Sequence, residues 1–156
     1  MKGRPAQFAA AAIAAAWLCA FETNPAAQVA VGCSISSSAF AFGTYNPLAV
    51  GPTDSIGTIT YECTAGVLIR VDLSQGSSGN FTARTMSGPA GTLAYNLYLD
   101  AARLLVWGDG TGGSQSYTEL ATALVQRSVL VHGRIPASQD VTVGSYTDTV
   151  TATIVF

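Results

Sequence analysis

The chain has 156 residues, 10% of them charged, with 16 glycines and a formal net charge of −2. That length fits one domain and is too short for two ordinary ones. So small a charge argues against nucleic acid or an anionic membrane as a partner, and a composition poor in Lys and Glu favours short strands and turns over helices.

The first element is a targeting segment. Lys2 and Arg4 precede an uncharged, Ala-rich apolar run from Phe8 to Phe21, and small residues follow at Pro25-Ala26-Ala27. This is the layout of a secretory signal peptide. The apolar run is shorter than the roughly 20 residues of a membrane span. Cleavage near Ala26 or Ala27 makes 1–27 the signal and 28–156 the mature domain. Cys19 invites a lipoprotein reading, but bulky Trp17-Leu18 stand where such a signal needs small residues. Removal of the segment takes Cys19 with it and leaves Cys33 and Cys63. An even pair in an exported protein reads as a disulfide. Closing a loop of about 30 residues stabilises by roughly 3.5–4 kcal/mol in the chain-entropy model.

The mature chain shows a period of two, the signal of strands. Val29, Val31, Cys33 and Ile35 alternate with smaller residues. Gly57, Ile59, Tyr61 and Cys63 repeat the pattern, as do Val67, Ile69, Val71 and Leu73. So do Leu93, Tyr95, Leu97 and Leu99, then Val129, Val131, Gly133 and Ile135, and last Val150, Ala152, Ile154 and Phe156. One apolar and one mixed face per strand is the pattern of an antiparallel sheet packed on one side. Turn chemistry separates the runs, at Tyr45-Asn46-Pro47, Gly51 to Asp54, Gln75 to Asn80, Ser87 to Gly91, Gly108 to Gly113 and Val143 to Ser145. The expected architecture is an all-β, two-sheet antiparallel sandwich with one disulfide. Thr118 to Gln126 has helical spacing and fits a loop and strand equally.

Catalytic constellations are poor, and no enzyme is expected. The only histidine, His132, falls at an outward strand position and reads as a solvated surface residue. Two Cys and one His lack the fourth ligand of a metal site. No Gly-x-Ser-x-Gly elbow is present. Asp100 and Asp109 are acid–base candidates only by default. Gly108 to Gly113 lacks the Gly-Lys-Ser/Thr ending of a phosphate loop and the acidic spacing of a calcium loop, so it reads as a hairpin tip. Asn80-Phe81-Thr82 is a sequon to which no role is assigned. Neither nucleic acid nor a small-molecule cofactor is implied.

Ordered segments carry a resemblance. They are Cys33-Ser34-Ile35, Phe42 to Pro47, Gly57 to Cys63, Arg84-Thr85-Met86, Leu93 to Arg103, Trp107 to Gly110, His132 to Gln139, Gly144 to Val150 and Thr153 to Phe156. Together they resemble the spore coat protein U domain, which is also the subunit domain of archaic, Csu-type chaperone–usher pili. The resemblance implies an immunoglobulin-like sandwich lacking its last strand, with a hydrophobic groove filled first by a periplasmic pilus chaperone and then by a neighbouring subunit's N-terminal strand at an outer-membrane usher. Its implied partners are that chaperone, the usher and other pilus subunits. Its implied place is the cell surface, reached through the periplasm, in surface attachment and biofilm formation. Val150, Ala152, Ile154 and Phe156 are the expected groove wall, with Ile35 opposite; a closed core is the alternative. Cleavage near Ala27 leaves only Gln28 to Gly32 before Cys33, too short for a donor strand at about 3.3 Å per residue. The chain then accepts a strand without donating one, as a tip or minor subunit or outside a pilus. Cleavage near Ala20 restores a marginal donor containing Val29 and Val31. A self-contained secreted binding module and a coat or envelope protein are the competing readings.

Overall fold

The computed structural model describes residues 30–156; the signal segment 1–27 lies outside the described residues. Among the described residues eight strands form, in chain order: β1 (Cys33–Ser37), β2 (Thr53–Cys63), β3 (Val67–Leu73), β4 (Arg84–Gly88), β5 (Gly91–Tyr98), β6 (Tyr117–Ala121), β7 (Arg127–Ile135) and β8 (Ala152–Val155). The one helical turn described is a short 3-10 turn, Gly76–Ser78. A five-stranded sheet has the order β1-β2-β7-β5-β4, and a three-stranded sheet the order β6-β3-β8. Every pairing between named strands is antiparallel.

The alternation read from the sequence decides which faces meet. Ile59, Tyr61, Val131, Ile135, Leu93, Tyr95 and Leu97 from one sheet bury against Ile69, Val71 and Leu73 from the other. Trp107 is fully buried, and its indole N–H donates to the Val71 carbonyl at 2.9 Å. That bond satisfies the one polar atom a buried indole carries. Cys33 and Cys63 are direct partners in the β1–β2 ladder and are disulfide-bonded across a sequence separation of 30.

Three expectations meet a definite outcome. Thr118 to Gln126 is strand β6 followed by a turn, because Tyr117 to Ala121 pairs with Val71 to Val67. His132 has outward parity but is only 8% exposed, so it is not a solvated surface residue. The chain after β5 turns back across this region, where the Arg103 Nε hydrogen-bonds to the Gly133 carbonyl and lies 3.2 Å from Asp54. Gly108 to Gly113 is not a hairpin tip, since Trp107 and Gln115 at its ends bridge in parallel. Asp109 instead folds the loop on itself, accepting from the Thr111 N–H at 2.9 Å and from its hydroxyl at 2.6 Å.

One ladder ends in an unusual way. Asn96, Leu97 and Tyr98 of β5 face Arg134, Gly133 and His132 of β7. Continuing that register brings Ala94 opposite Pro136, which has no N–H to give. The Gln139 side chain supplies both missing bonds. Its Oε1 accepts from the Ala94 N–H at 2.7 Å, and its Nε2 donates to the Ala94 carbonyl at 2.9 Å. The Pro136-Ala137-Ser138-Gln139 run is thus a side-chain substitute for one rung of sheet.

Candidate strand-acceptor cleft

The two sheets are unequal, and the smaller one does not cover the larger. After β1 the chain runs on from Ser38 to Tyr45 in period two, with Phe40 and Phe42 half-buried between exposed Ala39, Ala41 and Gly43. Before β8, Tyr146, Asp148 and Val150 are half-buried between exposed neighbours, continuing the phase of Ala152 and Ile154. Both stretches have the side-chain pattern of strands, yet neither is in a ladder. β3 ends at Leu73, opposite Ala152, so the chain before β8 outruns its partner.

Between these two stretches lies a cleft of about 1060 Å³. Its walls are 37–47 and 141–150, and its floor is Met86, Leu93, Tyr95, Leu97 and Ile135 from the five-stranded sheet. An apolar core cavity that stays empty is roughly 150 Å³, so this opening is no packing fault. Among the described residues, no main-chain to main-chain hydrogen bond involves 39–45 or 141–146. Unpaired main chain on both sides of an apolar floor is a template for a further strand.

Side chains hold the walls in place. The Tyr45 hydroxyl accepts from the Gln139 N–H at 2.8 Å and donates to the Pro136 carbonyl at 3.2 Å. On the other wall, Asp148 Oδ2 accepts from the Tyr95 hydroxyl at 2.6 Å, and Oδ1 accepts from the N–H groups of Ser77 and Thr149. Burial works to raise the Asp148 pKa, but the bonds from Tyr95 and Ser77 outweigh it and hold the carboxyl below its usual range. Burial, and then the bond to Asp148, push the Tyr95 phenol up, so it remains a donor. Thr147 exchanges two main-chain bonds with Ser87 at the edge of β4, at 2.8 and 3.0 Å.

Beside the floor, opposite Tyr95 in the β4–β5 ladder, Arg84 is fully buried. Its Nε and Nη2 donate to the Ser74 carbonyl, Nη2 also to the Trp107 carbonyl at 2.8 Å, and Nη1 to Asn96 Oδ1 at 2.8 Å. Burial lowers its pKa, while Tyr95 and Asp148 oppose that shift.

The five expected groove residues divide. Val150 lines the cleft. Ile35, Ala152 and Ile154 are half-buried against the core where β1 and β8 touch. Phe156 is 53% exposed. The opening therefore lies beyond β1 and ahead of β8, away from the disulfide end. Phe40, Phe42, Tyr95, Tyr146 and Asp148 also line the cleft and are not among the five expected groove residues. The signal was present in the alternation Phe40-Ala41-Phe42 and Tyr146-Thr147-Asp148-Thr149-Val150. Asp100 caps the turn after β5, accepting from the N–H groups of Leu104 and Leu105, and stands apart from the cleft. Among the described residues, no three His, Cys, Asp or Glu side chains cluster as metal ligands would.

Comparison with known proteins adds the family. The model of the Spore Coat Protein U domain matches residues 19–153. Protein U of Myxococcus xanthus is 35% identical over 150 residues, covering 85% of this chain and 82% of the relative. Among solved structures, a chain from the chaperone–tip adhesion subunit pre-assembly complex CsuC–CsuE, of the archaic chaperone–usher Csu pili of Acinetobacter baumannii, superposes with a TM-score of 0.61 at 23% identity. The match covers 82% of this chain and only 40% of that one, and it speaks for the fold.

Proposed function

The chain belongs to the Spore Coat Protein U domain family, and from that membership and the open cleft we propose that it is an exported, non-enzymatic structural subunit of a chaperone–usher pilus. The observation that carries the reading is the pair of strand-patterned walls without ladder partners. A partner's extended segment enters between 37–47 and 141–150 and completes the sandwich by main-chain bonding, with its alternate side chains on the apolar floor. The first such partner is a periplasmic chaperone, the second a neighbouring subunit delivered at an outer-membrane usher. The assembled protein stands at the cell surface, in attachment and biofilm formation, at a tip or minor position if it accepts without donating. Cleavage near Ala20, in place of Ala27, would leave a donor segment containing Val29 and Val31.

The test is thermal unfolding of the periplasmically expressed, disulfide-bonded domain, with and without a peptide of alternating apolar residues taken from a pilus subunit's donor segment. A sharp rise in melting temperature with peptide is expected, since a ligand that binds only the folded state stabilises it. A lone domain that melts cooperatively at high temperature and ignores the peptide sinks the reading. The resemblance to Protein U supports a second reading, a coat or envelope component. On that reading the chain self-associates through its exposed strand edges.

A further inference from the structure

Strand β6 ends the three-stranded sheet on the side away from β8. Among the described residues, no main-chain to main-chain hydrogen bond outside its ladder with β3 involves 116–121. The outer edge of β4, by contrast, is met at Ser87 by Thr147. The outward side of β6 is apolar at its middle. Leu120 lies directly opposite Leu68 of β3, and the two residues are 69% and 67% exposed. An open edge beside an exposed leucine pair is a template for a second chain. Glu119 works against that pairing. It has inward parity, between Tyr117 and Ala121, where the alternation calls for an apolar side chain. Its carboxylate accepts from the hydroxyls of Tyr117 and of Tyr61 on the other sheet, and from Arg127 Nη2 at 2.8 Å.

We infer that Glu119 is a gatekeeper: its inward carboxylate closes the β6 edge to a second copy of this chain. The register that pairs all five residues of β6 with another β6 sets Thr118 opposite Leu120 and Glu119 opposite its own copy. Like charges directly opposite destabilise a sheet. Other registers avoid that clash but still cover the Glu119–Arg127 pair, which keeps 25% and 46% of its side-chain surface exposed. Taking a charge pair out of water offsets what new main-chain bonds contribute. Tyr61 and Tyr117 make the inward charge tolerable in the single chain, because each gives the carboxylate a hydroxyl donor at the boundary of the core. The β6 edge is open whether or not the cleft accepts a strand, so the inference stands independently of that reading.

The experiment uses the exported, disulfide-bonded chain, with self-association followed by sedimentation velocity over a range of concentrations. Glu119→Gln removes the charge and keeps an acceptor for the two hydroxyls. It is expected to raise the association constant by at least about tenfold over the wild type. Glu119→Val, which completes the apolar alternation of β6, is expected to do the same and stands in should the glutamine variant not fold. Association through the cleft is common to wild type and variants and drops out of the comparison. Leu120→Lys added to either variant is expected to abolish the gain, because a lysine on the outward side of an edge strand opposes pairing. Hydrogen exchange locates the contact: the β6 amides that face away from β3 become protected as concentration rises in the variants and stay unprotected in the wild type. Equal association in wild type and both variants overturns the inference. So does a gain that survives Leu120→Lys and leaves those β6 amides unprotected, since the new contact then lies elsewhere.

Discussion

Arg84 shows what a single residue contributes when its neighbours come from distant parts of the chain. Its acceptors belong to Ser74, Asn96 and Trp107, and no carboxylate is among them. A planar guanidinium reaches all three at once, and a lysine ammonium does not. Arg84→Lys is expected to lower stability by about 2 kcal/mol or more, since a stranded buried acceptor costs roughly 1–3 kcal/mol. The urea midpoint at constant m-value measures it. Asp148, Glu119 and Asp54 set the response to acid. Glu119 is held low by its bonds from Tyr117 and Tyr61, and Asp54 by its bond from Arg134. A carboxyl whose folded pKa lies below its unfolded value takes up its proton later in the folded chain. As pH falls, the unfolded chain protonates first and gains free energy. The contribution is complete above about pH 5 and is lost as pH falls through roughly 4 towards the folded values. The melting temperature is expected to stay level from neutral pH to about 5 and to fall steeply below 4. In Asp148→Asn it starts lower and falls less steeply; an unchanged slope refutes the part given to Asp148. Neither site was readable beforehand. Arg84 and Asp148 stood out only inside family-like segments, because alternation gives parity and not hydrogen-bond partners.

At the scale of elements, the strands were legible and their ends were not. Each apolar face inferred from period two is the buried face in the folded chain for β2, β3, β5 and β7. His132 departs from that logic, since its outward face is covered by a loop that no periodicity announces. The β5–β7 rung made by Gln139 is also invisible to periodicity, because a side chain does the work of backbone. Gln139→Ala leaves the N–H and carbonyl of Ala94 without their side-chain partners, while the Tyr45 hydroxyl keeps its bonds to the main chain of Gln139 and Pro136. A loss of about 1–3 kcal/mol is expected. Hydrogen exchange at Ala94 should quicken more than at the centre of β2, and equal quickening at both amides contradicts a local role. Tyr45 belongs to a cleft wall, so the same variant tests whether that wall is held by the rung.

For the whole molecule, the disulfide and the cleft lie towards opposite ends of the sandwich. The bridge joins β1 to β2 where β1 also touches β8, and the opening begins beyond Ser37. Serine at both Cys33 and Cys63 is expected to cost roughly 3.5–4 kcal/mol in the chain-entropy model. A donor peptide should restore part of that loss in the melting temperature; a variant that the peptide cannot help shows that the bridge builds the cleft as well as stabilising the fold. The sequence by itself determined the class, the inward faces and the pairing of Cys33 with Cys63. Those follow from local rules, because side chains alternate along any extended chain whatever it pairs with. It did not determine where the opening lies. Ile35, Ala152 and Ile154 carry the same alternation as Phe40, Phe42 and Val150, yet the first three close against the core and the others border the cleft. Only the tertiary structure decides that difference, because an unpaired edge is set by where neighbouring strands stop. β3 stops at Leu73, and 39–45 and 141–146 on either side of the cleft continue without a main-chain partner.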